Sequence, residues 1–493
     1  MIMRLTPVLL AVLVAWGCGS KDVTSSGKVS TTTGWEYNDP ENGGFEVRTA
    51  AEQETGPGLT LIEGGTFTMG RVQDDVMYEW DNMPRRVTVS SFYMDITEIR
   101  NVDYREYIHW LSRVFGMNNP QVVNAALPDT LVWRDPMAYN EPYVEYYFRH
   151  PSFNEYPVVG VNWLQANDYC LWRTDRVNEK ILVDIGHIEL STDQQDERNF
   201  NTEAYIYGIY TPNIIDPIPS LNPNVESRLV TMEDGYLLPK YRLPTEAEWE
   251  FAALGLIGNT IDELVWERKT FPWNGHNVRN DNPRNMGEMM ANFVRGRGDM
   301  MGVAGSLNDA GSITVPVKSY WPNDYGLYCM AGNVNEWVQD VYRPLSHMDV
   351  SDFRPFRGNQ FDKLYLDANG NPVIDSLGHL RRVPIDEADA EGRFNYRKSD
   401  YRNYRDGDIE SVFEDGERAD AARYEGSGSM YLNNENERVS LINDQVRVYK
   451  GGSWKDRAYW LSPGERRYLV ETESRDDLGF RCAMSRMGTP TGL

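Results

Sequence analysis

The residues that could do chemistry in this chain are few and scattered. The six histidines (His109, His150, His187, His276, His347, His379) fall in no H-E-x-x-H or other paired zinc spacing. There is no C-x-x-C and no G-x-S-x-G. Downstream of Cys18 stand three cysteines, Cys170, Cys329 and Cys482. An odd number leaves one without a partner among them, and arithmetic does not choose among the three pairings. Glu246, Glu248 and Glu250 invite an acid–base reading. Glu246 and Glu250 share a helix face at i,i+4, while Glu248 points elsewhere. Thr245 and Glu248, however, spell a T-x-x-E capping box behind Pro244, and acids suit the first turn of a helix. Residues 243–253 therefore read as a helix start, with these glutamates structural. Residues 366–375 (LDANGNPVID) superficially suggest a calcium loop. Gly370 falls at position four from Asp367, where an EF-hand needs it at six, so a hairpin around Asn369-Gly370 is expected. Gly296, Gly298 and Gly302 do not make G-x-G-x-x-G and follow no strand pattern, which argues against a nucleotide site.

The elements that would position these residues belong to a large folded chain. It has 493 residues, 41% hydrophobic, with 14 Trp, 29 Tyr and 16 Phe, enough for a sizeable core. The net charge of −25 argues against a nucleic-acid or anionic-membrane binder. Residues 1–17 read as a signal peptide, with Arg4 before an apolar run over 5–14. The run ends Val14-Ala15-Trp16-Gly17-Cys18 and resembles a bacterial lipobox, which implies cleavage before Cys18 and acylation there. Several acyl chains, at about 0.8 kcal/mol per buried CH₂, make a stable anchor. No other apolar run reaches about 18 residues. Residues 18–58 read as acylated N-terminus and tether. Within it Trp35-Glu36-Tyr37 and Phe45-Glu46-Val47 either dock on the domain or a partner, or pack locally.

Residues 59–69 alternate around Gly64-Gly65 and predict a β-hairpin. Residues 86–94 predict a second strand, 101–111 a helix, and 156–161 a short strand. Asn162 opens a helix expected through Trp172. Residues 173–241, with four prolines at their centre, and residues 341–445 read as two long insertions. A domain over 59–485 and a tail over 486–493 complete the chain.

The order of several words carries a family resemblance. Residues 61–70 (LIEGGTFTMG), Glu98-Ile99-Arg100-Asn101, residues 156–163, Tyr169-Cys170, residues 242–252, Phe271-Pro272-Trp273, residues 326–337, Gly451-Gly452-Ser453-Trp454 and Gly479-Phe480-Arg481-Cys482-Ala483 follow one another as in formylglycine-generating enzymes. The resemblance implies an α+β, C-type-lectin-related fold with much irregular structure. In the active enzymes a cysteine pair binds copper and oxidises a target thiol. Counting from Gly451, those positions hold Asp456 and Leu461. Neither supplies the thiolate that Cu(I) selects, so the expectation is no copper and no such enzyme.

The same resemblance implies a calcium site from the Asn292 and Asp309 side chains with the Phe293 and Gly311 carbonyls. It implies a second, weaker site from Gly332, Val334 and Glu336, where Cys329 replaces an expected Asn or Asp ligand. It also implies a disulfide between Cys170 and Cys482, leaving Cys329 free. Residues 34–40 (GWEYNDP) and 70–99 are similar to gliding-motility lipoproteins of Bacteroidota. That similarity implies an outer-membrane lipoprotein facing the periplasm. Its partners would be other gliding-motility and type IX secretion lipoproteins and ring components, with no nucleic acid. A copper oxidase with displaced cysteines and a calcium-dependent ligand-binding module are the alternatives.

Overall fold

A computed structural model describes residues 29–48, 52–71, 82–222, 224–255, 269–273, 277–294, 311–342, 356, 358, 362–384, 433–434, 437–438 and 445–488. Two units emerge: Met1–Glu52 with Pro217–Gly235 and Thr489–Leu493, and Gln53–Asp216 with Tyr236–Gly488.

The larger unit starts with β1 (Leu59–Ile62), β2 (Gly65–Met69), β3 (Arg85–Val89) and β4 (Phe92–Asp95). The expected hairpin about Gly64-Gly65 does not form. β1 pairs with β4 and β2 with β3, both antiparallel. The reason is a close crossing. A Cβ on Gly64 would lie 2.4 Å from Ser91 N and from Val89 O, so the glycine lets the chain pass the 89–91 turn. The helix expected from 101 is α1 (Asn101–Phe115), and α2 spans Trp163–Asp184. Asn162 caps α2 as expected, but the helix continues twelve residues past Trp172. Its extension buries Thr174, Asp175, Asn178 and Glu179 together with Leu182, an inward face whose polar residues dilute the apolar period. The strand expected over 156–161 reduces to one bridge, Arg100 to Pro157.

β5 (Tyr241–Arg242) precedes α3 (Glu246–Leu254), which begins at Thr245 with the expected capping box. β6 (Asn335–Val341), β7 (Val446–Lys450), β8 (Arg467–Val470), β9 (Leu478–Gly479) and β10 (Ala483–Ser485) complete the frame. One sheet has the order β1-β4-β10-β5, the other β8-β7-β6-β9. Only β9 against β6 is parallel within these two sheets. Between α1, α2 and the Phe480 turn lies an aromatic core in which the Tyr104 and Tyr169 rings stack at 5.5 Å. This is the expected α+β class.

The two insertions meet in the larger unit. Asn199 Nδ2 donates to Leu377 O at 2.7 Å, and Arg382 Nη2 to Glu203 Oε1 at 3.2 Å. The turn at Asn369-Gly370 forms as expected, with Asp367 Oδ1 accepting from Asn369 N and Asn371 N.

The smaller unit departs from a plain tether. Residues 29–48 fold with a short strand pair, Ile218–Pro219 against Ser227–Arg228. Asn38 staples the loop by accepting from Val47 N at 2.7 Å and donating to Val47 O at 3.0 Å. Arg228 Nη2 donates to Glu46 Oε2 at 2.5 Å and Nη1 to Asp234 Oδ2 at 2.6 Å. Of the two readings for the Trp35-Glu36-Tyr37 and Phe45-Glu46-Val47 words, local packing is the one seen: Tyr37 and Phe45 meet edge-on, and Glu46 pairs with Arg228 inside the same unit.

Candidate functional site

The turn that follows β7 is made possible by two glycines at positive φ, Gly451 (102°) and Gly452 (70°). At Gly452 a Cβ would meet Trp460 O at 2.8 Å. The turn delivers Ser453 and Asp456 beside Asn335 of β6. Leu461 follows, with no exposure.

Asp456 is held from three sides. Arg467 Nη1 and Nη2 donate to Oδ1 and Oδ2 at 2.7 Å each. Ser453 Oγ donates to Oδ2 at 2.6 Å, and Asn335 Nδ2 reaches Oδ2 at 3.2 Å. Arg467 itself lies over Trp460, 4.5 Å from its ring centre, and over Tyr449 at 5.0 Å. Burial alone would raise the Asp456 pKa; the Arg467 fork outweighs it and holds the carboxyl below its usual range. Next to it, Arg475 forks Asp477 at 2.8 and 3.1 Å. Ser453 and Asn335 contact both aspartates. The result is a closed, charge-balanced network of hard oxygens and guanidinium groups.

The thiols sit elsewhere. Cys329 Sγ donates to Val317 O at 3.5 Å, and burial, then the Glu98 charge, push its pKa well up. That is the reverse of what a thiolate ligand needs. The Cys170 and Cys482 sulfurs are buried as thiols 3.4 Å apart.

Asn292 and Gly311 come together. Asn292 Oδ1 accepts from Gly311 N and its Nδ2 donates to Ile313 O, both at 2.9 Å. Phe293 is buried beside them. Asp309, like Cys18, lies outside the described residues. The second calcium set does not fit the ion. Both Glu336 oxygens are taken by Arg481 Nε and Nη2 at 2.6 Å, and Trp249 Nε1 adds a third bond at 2.8 Å. Neither Glu336 nor Arg481 is exposed. The guanidinium occupies the carboxylate that a cation would need, and the neutral thiol of Cys329 is no oxygen donor. Among the described residues, no group of three or more His, Cys, Asp or Glu could hold a metal.

The glutamates of α3 are structural, as expected. Lys450 Nζ lies 3.2 Å from Glu246 and 2.9 Å from Glu250, and Arg466 reaches Glu246 at 2.7 Å. Glu250 also accepts from Gly70 N at 2.8 Å, tying α3 to the end of β2. Sequence reasoning missed Arg467, Asn335, Asp477 and the role of Arg481. For Arg481 a signal existed: an arginine inside the buried word Gly-Phe-Arg-Cys-Ala demands an acid partner. For Arg467, in a polar run with Arg466, there was none.

Residues 44–380 match the model of a family described as sulfatase-modifying factor enzyme 1-like domain. The chain is 24% identical over 394 residues to a formylglycine-generating enzyme of Mus musculus, covering 71% of this chain and 81% of that protein. It is 25% identical over 332 residues to an inactive C-alpha-formylglycine-generating enzyme 2 of Bos taurus, covering 62% and 78%. Among solved structures, PvdO from Pseudomonas aeruginosa aligns with 15% identity and a TM-score of 0.39, over 87% of this chain and 94% of that one. Enzymes and inactive members therefore both stand among the relatives of this chain.

Proposed function

We propose, from the premise that this chain belongs to the sulfatase-modifying factor enzyme 1-like domain family, that it is a non-enzymatic member working by binding partners. One observation carries the reading. The positions that resemble the copper cysteines hold Asp456, locked by Arg467, and Leu461, buried without exposure. A displaced cysteine is a poor substitute, because all three described thiols are buried and the Cys329 pKa is raised.

The finer reading is a lipoprotein, acylated at Cys18, on the periplasmic face of the outer membrane. There it serves gliding motility and type IX secretion with sister lipoproteins and ring components. Its support is the lipobox-like end at Cys18, the words over 34–40 and 70–99, and two insertions that pack on one another. Fold likeness alone would not carry it, since function resides in sites. Calcium bound by Asn292, Phe293, Asp309 and Gly311 is part of the proposal, as a structural ion.

The test is gentle detergent extraction from native membranes, followed by sizing and identification of what co-purifies. Recovery with gliding and secretion components is expected. Recovery as a lone monomer, or retention of Cu(I) by the purified chain against a chelator, overturns the reading.

A further inference from the structure

The smaller unit leaves apolar side chains in water. Trp35 is 64% exposed and Phe45 65%, and Val29, Val225 and Met232 are between 43% and 48% exposed. Tyr37 packs edge-on against Phe45 at 5.8 Å. The loop bearing them has a defined shape, because Ser30 N bonds Trp35 O, Asn38 N bonds Phe45 O and Asn38 staples Val47. Arg228 then neutralises Glu46. Aromatic rings fixed on a stapled loop, without a hydrophobic cover, suit an interface with one wet and one apolar side.

Their position along the chain selects the occupant. Ten residues lie between Cys18 and Val29, eleven Cα–Cα steps. At roughly 3.3–3.6 Å per residue, this unit begins within about 40 Å of an anchor at Cys18. We propose that Trp35 and Phe45 rest in the headgroup layer of the bilayer that holds that anchor, making the smaller unit a membrane-facing foot. The proposal rests on the Cys18 lipidation reading. Trp and Tyr favour this depth of a membrane. Contact by two aromatic side chains is weak alone, and a short anchor raises their effective concentration at the surface. Glu36, Asp39 and Glu41 add negative charge to the loop, so the foot prefers zwitterionic lipid and is repelled by anionic lipid.

The experiment couples the full mature chain through the Cys18 thiol to maleimide lipid in phosphatidylcholine vesicles. The other three cysteines are buried, so Cys18 is the site that reacts. Subtracting the Trp35→Phe spectrum from the native one isolates the Trp35 emission. Expected are a blue shift on coupling, quenching by brominated acyl chains, and weakening of both by Phe45→Ser or by added anionic lipid. A difference spectrum unchanged by the bilayer overturns the proposal. Natural acylation is read separately from the mass of the Cys18 peptide. An unmodified Cys18 would end the anchor reading, while the vesicle result still judges the aromatic surface.

Discussion

Arg467 forks Asp456, two hydrogen bonds at 2.7 Å, where the enzymatic relatives are expected to carry a cysteine. The pair is mostly buried, with side-chain exposures of 17% and 11%. Asp456→Ala strands the guanidinium against Trp460 and should cost about 2 kcal/mol in urea unfolding. The pH dependence has a definite sign. The folded carboxyl titrates below the usual range, so its contribution is present above an unfolded pKa of about 3.9 and is lost as pH falls through the folded value. The stability gap between native protein and Asp456→Asn should therefore be largest near pH 7 and shrink in acid. A gap that widens in acid would reverse this assignment.

Arg481 and Glu336 form a second, more deeply buried pair, neither exposed. Arg481→Met leaves Glu336 charged without a counter-ion and should cost about 3–5 kcal/mol. Glu98 behaves oppositely. Burial, then the Glu336 charge, raise its pKa well above the usual range, and Asn333 Nδ2 contacts both its oxygens at 3.1 Å. A raised folded pKa gives stability that is full below the unfolded pKa and declines as pH rises toward the folded value. Glu98→Gln removes that decline, so the variant should gain on the native protein as pH rises from 4 to 8. Chemical denaturation across that range checks it, and parallel curves would count against a neutral Glu98.

How far the sequence could be read depends on what kind of interaction fixed each feature. The α3 start was legible because a capping box is local: Thr245 and Glu248 satisfy each other whatever surrounds them. The α+β class came from ordered words. The hairpin at Gly64-Gly65 misled, since a double glycine serves a close crossing as well as a turn. The length of α2 was hidden because its second half buries Asp175, Asn178 and Glu179, satisfied by Thr202, Leu238 and Gln194 from the first insertion. The Asp456 network joins residues 335, 456, 467 and 477, and only folding sets those side by side.

Cys170 and Cys482 are close enough to bond with a small side-chain rotation. Oxidised protein, unfolded and alkylated without reductant, should show Cys329 modified and the other two protected. Reduction, or Cys482→Ala, should then cost about 2–4 kcal/mol. Three modified thiols would sink the pairing.

Calcium should bind once. The Asn292 and Gly311 loop is assembled, whereas the Glu336 carboxylate is already filled by Arg481. Titration calorimetry on chelator-treated protein should give one ion per chain and a higher melting temperature with calcium, both abolished by Asp309→Ala. Glu336→Gln tests folding rather than the ion: it should lower stability without changing the stoichiometry. Two ions per chain would mean that Arg481 yields Glu336 to a cation.

Arg228 is the latch of the smaller unit, bonding Glu46 and Asp234 with about a fifth of its side chain exposed. Both acids are held below their usual range: Glu46 first by its bonds to Arg228, and Asp234 by the same guanidinium against the opposing effect of burial. Hydrogen bonds to charged groups contribute about 1.5–3 kcal/mol, and partial exposure reduces this to roughly 1–2 kcal/mol. Arg228→Met should then let residues 29–48 open about tenfold more often. Limited proteolysis reads this directly, as faster cleavage within 29–48 at unchanged melting of the larger unit. Acid should mimic the substitution, because both carboxylates lose their charge as pH falls through their lowered pKa values. Cleavage that is equally slow in the native and Arg228→Met chains would show that the loop is held by Asn38 and its backbone bonds alone.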